Sequence, residues 1–139
     1  MGSQDVASDM ALLKTNGITH ILNVGFGIPC FFPDTFNYRV LELLDVPPED
    51  TGRGESQLQS AILQSYEFIS AASDIKDAKV FVHCNAGVSR AATITIGFLM
   101  MSEKMSFSQA FNYVKAKRQC IRPNDGFVAF LRKFEGQVI

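Results

Sequence analysis

The sequence predicts an α/β protein in which a central sheet lies between helices on both faces. Three observations point there. Short β-branched, apolar stretches crowd the first 83 residues; helical periodicity dominates the remainder; and one long helical pattern already stands between the strands. At 139 residues and 47% hydrophobic composition the chain is long enough for a real core, and one domain over residues 1–139 is the expectation. With 19% charged residues it is not a disordered chain. We see no repeat and no low-complexity tract.

The elements follow in order. Ser8 is placed to cap a short helix over 9–14, which Asn16 and Gly17 end. Residues 18–24 form a buried strand that stops at Gly25 and Gly27. Residues 29–37 are a loop holding Phe31, Phe32 and Phe36, more readily core packing than a docking surface. A second strand covers 38–44. Residues 45–55 carry two prolines, two glycines and four acids, which predicts a long, polar, mobile loop. Residues 56–73 are helical, with Leu58, Ile62, Ser65 and Ile69 on one face and Ala61 and Phe68 beside them. A short strand covers 79–83. The stretch 89–102 is apolar nearly all round, so its helix belongs in the centre. Ser106 and Gln109 have capping-box spacing, with Phe107, Ala110, Phe111 and Val114 on one face. Asn124 is placed to cap a last helix through Phe127, Leu131 and Phe134.

Charge and composition exclude several classes. The net charge of −1 gives no bulk attraction to nucleic acid. Its distribution is uneven: residues 1–83 carry 5 Lys and Arg against 11 Asp and Glu, and residues 84–139 carry 8 against 3. A basic C-terminal part suits an anionic ligand. Lys115, Lys117 and Arg118 read as a solvated helix face rather than a guide for an acidic partner. The first ten residues are polar, unlike a signal peptide, and the longest uncharged apolar run, 91–102, is too short for a bilayer, which needs about 20 residues. No membrane partner is expected. Cys30, Cys84 and Cys120 are odd in number and widely spaced, which disfavours a disulfide framework or a zinc site. Reduced thiols predict a cytoplasmic or nuclear protein. Cys30 and Cys120 read as core cysteines rather than redox partners of Cys84. His20 and His83 offer no metal-ligand spacing, so neither a metal nor another cofactor is called for.

The chemistry concentrates in residues 80–90, where a strand ends at Cys84, a turn containing Gly87 follows, and Arg90 opens the apolar helix. Gly87 permits a backbone conformation other residues resist. Successive amides of Asn85, Ala86, Gly87, Val88 and Ser89 can point inward as an anion nest, and the helix N-terminus adds free N–H groups and a positive dipole end. Arg90 supplies a planar fork matching two phosphate oxygens. Cys84 at the base is expected to be a thiolate, because a helix N-terminus with a nearby Arg favours that form. A thiolate beneath a bound phosphorus is a nucleophile for phosphoryl transfer. Ser89 is placed to donate its hydroxyl to the sulfur and ease its later departure. His83, adjacent on the strand, faces the other way; it fits a brace of the turn rather than a base. No GxxxxGK[ST] nucleotide loop is present.

HCNAGVSR at 83–90 resembles the HCxxGxxR signature of the cysteine-based protein phosphatases. The longer HCNAGVSRAATITIGFLM at 83–100 resembles their dual-specificity subfamily, atypical members included. So do Arg122-Pro123-Asn124-Asp125-Gly126-Phe127 with Leu131 and Phe134, and, more weakly, Gly2-Ser3-Gln4-Asp5 and residues 17–24. The resemblance spans nearly the whole chain. It implies a three-layer α/β fold with a central mixed sheet. It also implies a two-step hydrolysis of phosphotyrosine and phosphoserine or phosphothreonine through a phosphocysteine on Cys84. A general acid protonates the leaving oxygen, and Asp45 sits at the matching place, where a strand meets the loop; Glu49 and Asp50 are rivals because that loop is longer than usual. The implied partners are phosphoproteins, by analogy stress-kinase pathway components. The family's first strand has no counterpart before Met1, so a shortened N-terminus is expected. Phe130 replaces a residue often polar in relatives and either packs or alters the surface near the pocket. A phosphoprotein-binding scaffold with little activity is the competing reading. A sulfurtransferase is disfavoured by Ser89-Arg90 and by residues 122–127.

Overall fold

The computed structural model describes residues 1–48 and 54–138. The elements are α1 (Gln4–Ala7), α2 (Met10–Thr15), β1 (His20–Gly25), β2 (Asn37–Leu43), α3 (Gly54–Ser73), β3 (Val80–His83), α4 (Arg90–Ser102), α5 (Phe107–Lys117) and α6 (Asp125–Val138). The three strands form a sheet in the order β2-β1-β3, and both pairings are parallel. The antiparallel pairing that makes a sheet mixed is not among them. Gly2 adds an isolated parallel bridge to His83.

Strand alternation explains the layers. Neighbouring residues on a strand face opposite sides. Leu22, Val24, Leu41, Leu43 and Val82 join the large core formed with α3, α4, α5 and α6. Ile21 and Phe81 point the other way, into a smaller core with Ala7, Leu13 and Phe36, where Phe31 and Phe32 pack at the margin. The α/β class with helices on both faces is therefore what the chain forms. The apolar helix α4 is central, burying Ala91, Ala92, Thr93, Ile94, Ile96, Gly97 and Met100. Phe130 packs in the large core, stacked on Phe134, so of the two expectations for it packing is the one the structure shows.

Two capping expectations hold. Ser106 and Gln109 form the capping box of α5. Asn124 Oδ1 accepts from the Phe127 N–H at 2.8 Å at the start of α6. One needs correction: Asp9, not Ser8, caps α2, accepting from the Leu12 N–H at 3.0 Å. Ser8 is already engaged at the end of α1, a one-turn helix absent from the sequence pattern, where its hydroxyl donates to Asp5 O. Among the described residues no helix is long and apolar enough to cross a membrane.

Because the three strands run parallel, their C-terminal ends meet on one edge of the sheet. In open α/β sheets ligands bind at that edge. Here it presents Gly25, then Asp45 just beyond β2, then Cys84 just beyond β3. The β1–β2 register slips between Asn23 and Gly25, where β2 carries one extra residue. Buried Asn23 satisfies the irregular backbone there: its Oδ1 accepts from the Gly25 N–H at 3.1 Å and its Nδ2 donates to Ile28 O at 2.7 Å.

Candidate active site

The segment after β3 turns back immediately, and Gly87 supplies the turn with φ of +69°. Its four carbonyls are all held from outside. Asn85 O accepts from the Gln4 N–H at 2.7 Å, and Val88 O accepts from the Arg122 N–H at 2.7 Å. The Arg118 guanidinium forks onto the two between, with Nη2 on Ala86 O and Nε on Gly87 O, each at 2.9 Å. Carbonyls pulled outward leave the amides of the same peptides facing inward, which is how a nest for an anion is built. The start of α4 adds its free N–H groups to that concavity.

Cys84 lies at the base, 2% exposed, and its Sγ receives the Ala91 N–H at 3.4 Å. This contact was not expected. Ser89 Oγ accepts from the Asn124 N–H at 3.0 Å, which leaves its own hydrogen available to donate. The donor already on the sulfur is a backbone group in the first turn of the helix. Arg90 reaches across to the end of β2, where Nη1 donates to Leu43 O at 3.1 Å, so the guanidinium is anchored beside the site. Asp45, exposed, accepts on Oδ1 from Asn124 Nδ2 at 3.1 Å. Asp45, Cys84, Asn85, Ala86, Val88, Ser89 and Arg90 together line a cavity of about 110 Å³. Gly87 forms the back of the turn. The rival acids Glu49 and Asp50 lie outside the described residues.

His83 is fully buried and stacked on Phe81, with ring centroids 5.8 Å apart. Its Nδ1 donates to Cys84 O at 3.3 Å, and among the described residues the buried Nε2 has no hydrogen-bond partner. Burial pushes its pKa below the ordinary histidine value, so the ring stays neutral.

Three sequence expectations change. Arg118 is not a solvated side chain but the brace of the turn, and Lys115 Nζ donates to Ile121 O at 3.0 Å. Of that basic trio only Lys117 stays on an exposed face, above the Tyr113 ring. Cys30 is half-buried and Cys120 exposed, so neither belongs to the core. A larger groove of about 760 Å³ runs between β2 and α3, lined by Phe26, Val40, Glu42 and Gln64 among others. Among the described residues its lining holds serines but no cysteine and no cation, so the chemistry selects the smaller cavity.

The family described as dual specificity phosphatase, catalytic domain, matches residues 1–137. Mouse dual specificity protein phosphatase 19 is 46% identical over 135 residues, which are 97% of this chain and 58% of that protein. The human dual specificity protein phosphatase 4 is 35% identical over the whole chain, which covers 33% of it. The chain thus spans little more than half of the one relative and a third of the other. Among solved structures, the human tyrosine phosphatase-like serine/threonine/tyrosine-interacting protein superposes with a TM-score of 0.86 at 33% identity, over 99% of this chain and 90% of that one. Human DUSP28 gives 0.85 at 27% identity, over 99% and 87%.

Proposed function

The chain belongs to the dual specificity phosphatases, and from that premise we propose that its site hydrolyses phosphotyrosine and phosphoserine or phosphothreonine in proteins through a phosphocysteine on Cys84. One observation carries the reading: a cysteine sulfur, an anchored arginine and a carboxylate line one small cavity whose backbone is braced to turn its amides inward.

In the proposed first step a sulfur lone pair of Cys84 forms the S–P bond as the bond from phosphorus to the leaving oxygen breaks. Asp45 gives its proton to that oxygen and becomes a carboxylate. The inward amides of 86–89 and the Arg90 guanidinium hold the equatorial oxygens, where charge gathers. In the second step a water oxygen bonds phosphorus, the S–P bond breaks, and Asp45 takes the water's proton. The Ala91 N–H stabilises the sulfur as it leaves, assisted by the Ser89 hydroxyl, whose own hydrogen is free because Oγ is the acceptor toward Asn124. His83 holds the Cys84 carbonyl and takes no part in proton transfer. The reading extends to phosphoprotein partners, with stress-kinase pathway components as the class to screen first, and to a cytoplasmic or nuclear site of action, supported by three free thiols.

The test is phosphate release from matched phosphotyrosine and phosphothreonine peptides across pH. Cys84→Ser should abolish turnover. Asp45→Asn should lower it by about 10²–10⁴-fold and remove the alkaline limb of the pH profile. Loss with Cys84→Ser alone would move the acid to Asp50 or Glu49. Phosphopeptide binding without any release by the unaltered protein would replace hydrolysis with a scaffold role.

A further inference from the structure

We propose that Asn124 is a positioning residue for proton transfer: it ties Asp45 to the phosphate-binding turn and fixes which carboxyl oxygen delivers the proton. The inference deepens the reading of Asp45 as general acid and rests on it.

The argument turns on the orientation of one side-chain amide. Asn124 makes four hydrogen bonds, one of them at its backbone carbonyl, which accepts from the Val128 N–H at 3.1 Å. Its Oδ1 accepts from the Phe127 N–H at 2.8 Å, capping α6. Its backbone N–H donates to Ser89 Oγ at 3.0 Å. Its Nδ2 donates to Asp45 Oδ1 at 3.1 Å. An amide has one acceptor end and one donor end. Since the acceptor end is committed to the helix, only the NH₂ group can face Asp45. Oδ1 of Asp45 is therefore held as an acceptor, and the proton must reside on Oδ2. Among the described residues Cys84 and Arg90 are the charged or titratable groups sharing the cavity with Asp45, and Asp125 follows Asn124 in the first turn of α6.

The contact spans 79 residues of sequence, so it joins otherwise independent parts of the chain. Asp45 follows β2 on an exposed stretch, and among the described residues its carboxylate makes no other hydrogen bond. Asn124 is rigid by comparison, since α6 and Ser89 hold it at two other points. When Asp45 loses its proton in the first step, the Nδ2–H remains to stabilise the carboxylate; when Asp45 accepts the water's proton on Oδ2, the same bond keeps that oxygen aimed at the site.

Two variants test this. Asn124→Asp and Asn124→Ser both keep a side chain suited to capping α6. Neither can donate an amide N–H to Asp45, and the former adds a second carboxylate. Rates are measured with aryl phosphates whose leaving groups range from 4-nitrophenol to phenol, at several pH values, beside wild type, Cys84→Ser and Asp45→Asn. The expected result is a loss of about 10–100-fold with phenyl phosphate and a much smaller one with 4-nitrophenyl phosphate, which needs little acid assistance. The alkaline limb should move to higher pH in both, further in Asn124→Asp. Equal losses for all leaving groups with an unmoved limb, while Asp45→Asn stays steeply leaving-group dependent, would reduce Asn124 to a helix cap and overturn the proposal but not the assignment of Asp45. A flat response in Asp45→Asn itself would overturn both.

Discussion

Replacing Gly87 with alanine separates two costs that usually come together. Gly17, Gly27 and Gly87 have φ values of +72°, +73° and +69°. An L-residue pays about 1–2 kcal/mol for that conformation. At Gly17 and Gly27 an added Cβ would meet nothing within 4 Å, so Gly17→Ala and Gly27→Ala should cost that strain alone. At Gly87 the Cβ would lie 2.5 Å from Gly2 O and 2.9 Å from Arg118 Nη2. The first neighbour is backbone and the second is engaged with Ala86 O, so neither gives way freely. Overpacking of this kind adds about 1–3 kcal/mol, making Gly87→Ala about 2–5 kcal/mol destabilising. At about 2–4 °C per kcal/mol in chains near this size, its melting point should fall well below those of the two control variants. Urea unfolding with an unchanged slope would establish the difference as stability. Relief of the clash by shifting Gly2 would also strain the Gln4 N–H bond to Asn85 O, so inhibition by inorganic phosphate should weaken in Gly87→Ala only. A Gly87→Ala protein no less stable than Gly27→Ala, with unaltered phosphate inhibition, would refute the view that the turn is clamped from behind.

Two further outcomes follow from the same region. Arg118→Met removes both side-chain bonds to the turn and should raise the inhibition constant of inorganic phosphate about tenfold, a change of about 1.4 kcal/mol; Arg118→Lys, with one compact donor in place of a fork, should fall between, and an unchanged constant in Arg118→Met would mean the brace is idle. For His83, burial lowers the folded pKa below that of the unfolded chain, so the unfolded state binds the extra proton and stability is full above about pH 6.5 and declines as pH falls through the window below it, by up to about 1.4 kcal/mol per pH unit. Denaturant midpoints of wild type and His83→Gln between pH 7.5 and 5 should therefore converge as pH falls; parallel curves would show that His83 does not contribute that slope.

The parts of this molecule visible in its sequence are those whose physics is local. The strand, turn and helix around Cys84 depend on neighbouring residues, and the Asn124 and Ser106 caps on a spacing of three. Asp9 and Ser8 show the limit of that logic. Both side chains suit a cap, and the choice was made by α1, too short to leave a periodic pattern. The brace was invisible for a different reason. Arg118 lies 31 residues from Gly87 and reads as one more cation on a basic helix end. Ser89 lies close to the sulfur in sequence, but the N–H that its Oγ accepts lies 35 residues on. Composition likewise placed Cys120 inside, whereas a turn between α5 and α6 leaves it in water.

The turn that would receive phosphate is held by residues 2–4, 118 and 122, with Asp45 and Asn124 closing its rim. No stretch of the chain carries this concavity alone, so an unfolded chain offers an oxyanion nothing comparable. A ligand that binds only the folded state shifts the folding equilibrium in proportion to its occupancy, by about 2.7 kcal/mol at a concentration one hundred times its dissociation constant. Phosphate, the product of the proposed reaction, is then also a folding ligand. The buffer anion chosen for a melting experiment sets part of the stability it records, and a thermal shift with phosphate, vanadate or tungstate reports occupancy of the site even in a variant that has lost all turnover.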